Sequence, residues 1–209
     1  MYSKTEGVIL SRRNFGEADR LITIYTRDFG KVTVIAKGVR RPRSRKAGHL
    51  ELGSWCKLFI AKGKNLDILT EVEIKKAFGI DNFTYAKANK IYHLLELVNK
   101  LTPEHQKNQK LFNLLVNFLN LTAAGEDFNL VSGIFKIKVM SNLGFFSSKS
   151  YEAYKSGEII KILEDEEFSL IKKTVKLSKE SNLKLLRFLD SMIEQVSEHE
   201  LKTNRFLNG

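Results

Sequence analysis

The hydrophobic positions change period about a third of the way along the chain. Up to residue 79 they alternate. Glu6 to Arg13 puts Val8 and Leu10 on one face and Gly7 and Ile9 on the other. Arg20 to Thr26 and Lys31 to Lys37 also alternate and are rich in β-branched residues, as strands are. Between them lies Arg27-Asp-Phe-Gly30, a short loop with glycine where a positive φ is expected, so these two strands predict a hairpin. A fourth run, Leu50 to Ala61, carries Trp55 and Phe59, and a fifth, Leu66 to Ile74, follows the turn Lys62-Gly-Lys-Asn65. Five short strands with almost no helical period predict a small closed barrel, because closure removes exposed strand edges. Trp55 and Phe59 are expected to fill it.

From about Asp81 the period is that of helices. Ile91, Leu94, Leu95, Val98 and Leu101 follow i, i+3, i+4, i+7 spacing, and Pro103 marks the stop. Leu111, Leu114, Leu115, Phe118 and Leu119 repeat the pattern in a second helix ending near Gly125. A third is capped by Asp127 and runs to Gly144, where a left-handed C-terminal cap fits. Leu183, Leu186, Leu189, Met192, Ile193 and Val196 predict a long final helix, with a shorter one around Phe168 to Val175. The chain thus divides by period into residues 1–79 and 80–209.

Charge sharpens this division. The net charge is +11 over 209 residues, but residues 1–79 hold 17 Lys/Arg against 8 Asp/Glu, and the remainder is nearly balanced. The excess peaks in Lys37-Gly-Val-Arg-Arg-Pro-Arg-Ser-Arg-Lys46, with six cations and no acid. Such a run stays in water, because each buried unpaired charge costs several kcal/mol. Four of the six are arginines, whose planar fork suits phosphate, and the run directly follows a strand. An anionic membrane would read the same charge. The lack of a strongly amphipathic basic helix favours nucleic acid. Arg12, Arg13, Lys37, Arg40, Arg41, Arg43, Arg45 and Lys46 are the expected phosphate contacts, and Phe15 and Phe29, in turns, are the candidates for base stacking.

Little else suggests chemistry. His49, His93, His105 and His199 are scattered, and His93 and Glu96, three apart on one helix, form a common chance pair. The acidic run Glu164 to Glu167 reads as a helix N-terminus stabilised by negative charge. No phosphate-binding glycine loop, dinucleotide fingerprint or nucleophile elbow occurs, so no enzyme activity is expected. The lone Cys56 excludes an internal disulfide and a cysteine-cluster metal site. No apolar run approaches the roughly 20 residues of a membrane span, which fits a cytoplasmic protein.

Several segments carry a resemblance. Gly16-Glu-Ala-Asp-Arg20, Arg27-Asp-Phe-Gly-Lys31 and Ala36-Lys-Gly-Val-Arg-Arg41, with Ser44-Arg45 and Gly48, resemble the amino-terminal domain of the RecO family of bacterial recombination and repair mediators. Phe135-Lys-Ile-Lys-Val-Met-Ser-Asn-Leu-Gly-Phe145 is similar to the family's third-helix segment, and Leu201-Lys-Thr-Asn-Arg-Phe-Leu207 to its closing motif. The resemblance implies an OB-fold over 1–79 followed by an all-α domain over 80–209, and a non-enzymatic, nucleoid-associated cytoplasmic protein without cofactor. It implies binding of single- and double-stranded DNA, annealing of complementary strands, and, with RecR, loading of RecA onto coated single strands. An OB-fold RNA-binding factor is the alternative.

The family also engages the tail of single-strand-binding protein, which is acidic and ends in phenylalanine. Its receptor requires an apolar pocket rimmed by Lys or Arg, and Lys136, Lys138 and Lys184 are candidates by charge. In one respect the chain departs from the pattern. Many relatives carry a four-cysteine zinc site after the leucine-glycine-aromatic segment. Here Phe146-Ser-Ser-Lys-Ser-Tyr-Glu-Ala-Tyr154 follows, without cysteine, so a zinc-free member is expected, its turn held by packing. Within Glu17-Ala-Asp-Arg20, Arg20 is expected either to meet DNA or to pair with Glu17 or Asp19.

Overall fold

All five alternating segments are strands. β1 (Tyr2–Phe15), β2 (Asp19–Thr26), β3 (Gly30–Ala36), β4 (Ser54–Ala61) and β5 (Asp67–Ala77) close into a barrel in the order β1-β2-β3-β5-β4. The computed structural model describes residues 2–42, 44, 47–78, 85–151, 153, 157–198 and 201–207. Four of the five junctions are antiparallel; the fifth, β3 with β5, is a short parallel contact through Val34 with Asp67 and Ile35 with Ile68. This order and closure are those of an OB-fold. The expected β2–β3 hairpin is present, with Thr26 opposite Gly30. Gly30 sits at φ +69°, and a Cβ there would collide with the Gln106 carbonyl, so glycine is required on both counts.

β1 is buried on both faces and serves two cores. Ile9 lies inside the barrel with Ile22, Ile24, Val34, Leu58 and Leu69. Val8 and Leu10 face outward into a second core formed with α1 (Tyr85–Leu101), where they join Ile91, Leu94 and Val98. A register shift between Ile9 and Ser11 marks the strand where these duties meet.

Trp55 and Phe59 do not fill the barrel. Cys56, Leu58 and Ile60 take the interior, and the alternate positions face out. Trp55 packs against the helical core with the Lys75 ammonium 4.1 Å from its ring centre; Phe59 lies beneath Lys4. The outward parity also carries Lys57, and the narrow five-stranded interior accepts the smaller, uncharged set.

The helices are α1, α2 (Gln109–Ala123), α3 (Phe128–Asn142), α4 (Gly157–Asp165), α5 (Phe168–Thr174), α6 (Lys179–Ser197) and the short α7 (Asn204–Leu207). Their starts are set by side chains that satisfy otherwise orphaned amides. Asn108 accepts from Leu111 N, Asp127 from Asn129 N, and Ser178 from Ser181 N. Gly144, at φ +82°, follows α3 as expected. α3 is central: Val131, Ile134, Phe135, Ile137, Val139 and Met140 are all buried, and α1, α2, α4 and α6 pack around it.

One helix is added here: α4, which the sequence reading did not single out. The acidic run leads into the N-terminus of α5 as expected, with Glu167 at its cap, while Glu164 and Asp165 also close α4. The change of period at 79/80 falls outside the described residues. Beyond α3 the turn is held by packing: Phe146 stacks on Tyr151 with ring centres 5.5 Å apart, and Tyr151 meets the edge of Phe188 of α6. The Glu164 carboxylate ties it down, accepting from Ser141 Oγ and Ser148 N. No helix among the described residues is long and apolar enough to cross a membrane.

Candidate nucleic-acid interface

The basic run leaves the barrel at the end of β3, beside the turn between β1 and β2. Four hydrogen bonds set its course. Gly38 N donates to Asp19 Oδ1 (2.7 Å), Arg40 N to the Ala18 carbonyl (2.9 Å), and the Arg40 guanidinium to the Gly16 carbonyl (3.1 Å). Arg41 N then closes a turn onto the Gly38 carbonyl (3.2 Å). Val39 is fully buried between these contacts, and Gly38 takes φ +66°. The backbone is therefore pinned at its root while Lys37, Arg40 and Arg41 remain exposed.

Arg13, near the end of β1, is exposed at the same end of the barrel, as is Phe15, 47% exposed. Among the described residues Arg13, Lys37, Arg40 and Arg41 form no ion pair with an acid. Arg12 differs: its guanidinium is ion-paired with Glu51, a residue the sequence reading did not single out, so its charge is already offset. Arg43, Arg45 and Lys46 lie outside the described residues. Phe29, 38% exposed, sits in the β2–β3 turn at the other end of β2, about 25 Å away for a strand of this length. It is therefore separate from the basic rim. Arg20 pairs with neither Glu17 nor Asp19 among the described residues; Asp19 instead holds Gly38.

The three lysines expected on one surface of the helical domain do not converge. Lys136 is 3% exposed, and its ammonium lies 2.6 Å from Asp190 of α6. Burial pushes its pKa down, and the Asp190 carboxylate pulls it back up. Lys138 points elsewhere, donating to the Glu164 carbonyl at 2.7 Å, with the Glu164–Glu167 acids around it. Lys184 is exposed and pairs with Glu180 one turn back along α6.

A different set does converge. Between α1, α3 and α6 lies a cavity of about 670 Å³. Phe128, Leu183 and Leu186 give it apolar surface, Lys90 and Arg187 give it positive charge, and Asp127 and the Lys136–Asp190 pair complete the lining. Lys90 rests over the Phe128 ring at 5.6 Å. Lys90 and Arg187 carry no apolar-period signal, so nothing in the pattern of the chain distinguishes them from other surface cations.

Comparison with known sequences bears on both regions. The pattern described as Recombination protein O N terminal matches residues 1–78, and that described as Recombination protein O C terminal matches residues 83–153. The chain belongs to the recombination protein O family. Similar relatives are the DNA repair proteins RecO of Halalkalibacterium halodurans (29% identical over 144 residues, 69% of this chain and 57% of the relative) and Alkaliphilus metalliredigens (34% over 150 residues, 69% and 59%). That of Roseiflexus sp. is 32% identical over 157 residues, 75% of this chain and 55% of the relative. The matches thus span somewhat more than half the length of these relatives.

Within the recombination protein O frame, the Glu17-Ala-Asp-Arg20 and Lys37-Gly-Val-Arg-Arg41 segments have a shared local purpose. One supplies acceptors and the other the donors that pin the basic loop. Among the described residues no three His, Cys, Asp or Glu side chains gather as a metal site. Burial pushes the Cys56 thiol up to about 12, which leaves it an unreactive core side chain.

Proposed function

We propose that this chain is a DNA repair and recombination mediator that holds nucleic-acid backbone on the rim of its barrel. The observation that carries this reading is the loop root: backbone hydrogen bonds fix residues 38–41 while four cations around them stay free of acids. Phosphates would displace counterions there without sequence being read, and Phe15 supplies a face for one base. Strands whose charge is neutralised on such a rim repel each other less and sample pairing faster, which is annealing. RecR and RecA enter as partners through the family.

The tail of single-strand-binding protein is assigned to the cavity between α1, α3 and α6. An acidic peptide ending in an aromatic residue needs both of its features, apolar walls and a rim of Lys90 and Arg187. This replaces the charge-based set: Lys136 is paired with Asp190, Lys138 donates to the Glu164 carbonyl, and Lys184 pairs with Glu180.

The test is single-stranded DNA affinity against salt, for the wild type and for Arg13, Lys37, Arg40 and Arg41 changed together to Ala. Four lost contacts reduce the magnitude of the log–log slope by about 3, at roughly 0.7 per phosphate on single strands. An unchanged slope in a folded variant would place the site elsewhere. Competition between the DNA and a structured RNA of equal length separates the mediator from an RNA-handling factor.

A further inference from the structure

Residues 201–207 fold back across α1, and one carboxylate holds them there. Glu96 accepts from Lys202 N and Thr203 N, both at 2.9 Å, and from Thr203 Oγ1 at 2.7 Å. The Lys100 ammonium stands 3.3 Å from the same carboxylate. Burial alone would raise the Glu96 pKa, but these hydrogen bonds and Lys100 hold it below the ordinary value. Leu201 is buried beside this contact.

Thr203 reaches further. Its Oγ1 lies 2.8 Å from Nδ1 of His93, which is fully buried. The threonine hydroxyl has one proton, and Glu96, an acceptor only, takes it; His93 therefore donates to Thr203 and carries its proton on Nδ1. The other face of the network touches the cavity. The His93 ring meets Phe128 edge-on at 6.0 Å, and Phe128, Lys136 and Asn204 all line the cavity. The chain of contact thus runs from Glu96 through Thr203 and His93 to the cavity wall, and Asn204 of the strap is itself part of that wall.

We propose that residues 201–207 are a strap forming one wall of the acidic-peptide site, with Glu96 as the positioning residue that latches it. The proposal rests on the assignment of the cavity to such a peptide. Coupling of this kind is reciprocal: whatever docks the strap tightens the peptide, and the peptide stabilises the docked strap by the same factor. A strap docked only part of the time lowers the peptide affinity in proportion.

The experiment uses the full chain and a synthetic aspartate-rich peptide ending in phenylalanine with a free carboxylate. Affinity is measured for the wild type, Glu96→Gln, Thr203→Val and Arg187→Gln, together with amide hydrogen exchange across residues 201–207. Losing the charge-assisted anchor weakens the peptide about tenfold in Glu96→Gln and several-fold in Thr203→Val. In the wild type, bound peptide slows exchange in 201–207. Thr203→Val leaves α1 untouched and carries the test if Glu96→Gln fails to fold. Affinity unchanged in both strap variants but reduced in Arg187→Gln would overturn the strap and leave the cavity assignment standing. No binding to the wild type, or binding indifferent to Arg187→Gln, would overturn the cavity assignment and the strap with it.

Discussion

The barrel rim and the helical interior treat positive charge in opposite ways. At the rim, the backbone of residues 38–41 is tied down by Asp19 and Ala18, the Arg40 guanidinium donates to the Gly16 carbonyl, and the cationic side chains meet no acid among the described residues. In the helical domain the backbone is already satisfied by helices, and the side-chain charge is what gets consumed: Lys136 by Asp190, Lys138 by the acids around Glu164. A count of lysines and arginines ranks these regions by total charge. What a polyanion meets is the charge left over after internal pairing: among the described residues the rim leaves four cations together, and the helical cavity leaves Lys90 and Arg187.

The largest break in this contrast comes from Asp190→Ala. It strands the Lys136 ammonium in a buried site and should destabilise the protein by about 3 kcal/mol in urea denaturation, because an unpaired buried charge is what remains. Changing both partners together, Lys136→Met with Asp190→Leu, should recover most of that loss. If the single change costs less than 1 kcal/mol, as on an exposed surface, the interior pair is not the structural element described.

Asp19→Ala acts on the rim through the backbone. Losing a charge-assisted acceptor of Gly38 N should cost about 2 kcal/mol and also weaken single-stranded DNA binding, although Asp19 is itself negative. Tighter binding in Asp19→Ala would mean that the acid merely repels phosphate and does not place the loop.

Acid should separate the regions next. His93 is held neutral because burial, and then Lys136, depress its pKa well below 6.5. A depressed histidine means that the unfolded chain binds the extra proton, so stability is present above the unfolded value and falls as pH drops below it. The loss should approach about 1.4 kcal/mol per pH unit below 6.5, and His93→Gln should flatten it. Glu96, also depressed, adds a second loss as pH falls below its ordinary value of 4.5, measurable as faster exchange in 201–207.

The smallest effects belong to the rim arginines taken singly. Arg13→Ala or Arg41→Ala should move stability by less than about 0.5 kcal/mol while lowering the DNA salt slope by about 0.7 each. Arg12→Ala should barely move the slope, because Glu51 already offsets it. An equal slope change for Arg12 and Arg41 would remove the distinction between paired and free cations.

Much of the fold was legible because local periods were unambiguous. The two faces of β1 could be separated as Val8 and Leu10 against Gly7 and Ile9, and the caps at Asp127 and Gly144 fell where the polar and glycine positions put them. β4 was misread because the bulk of Trp55 and Phe59 outweighed Lys57, the charge between them that marks their face as the outer one. α4 was not singled out, although Ile159, Ile160, Ile162 and Leu163 carry a short helical spacing within its nine residues. The candidate site was legible as a basic run, but not as a pinned loop.

The residues alone determined an alternating third that must close on itself, helical segments with their starts and stops, and a charge excess that must face water. Those follow from neighbours within a few positions, where side-chain period and capping act. Pairing was decided only by the tertiary structure. Glu51 reaches Arg12 from 39 positions away, Asp190 reaches Lys136 from 54, and Thr203 reaches Glu96 from 107. Whether a charge is free or spent depends on which distant acid the fold brings within hydrogen-bond reach, and no local period encodes that distance.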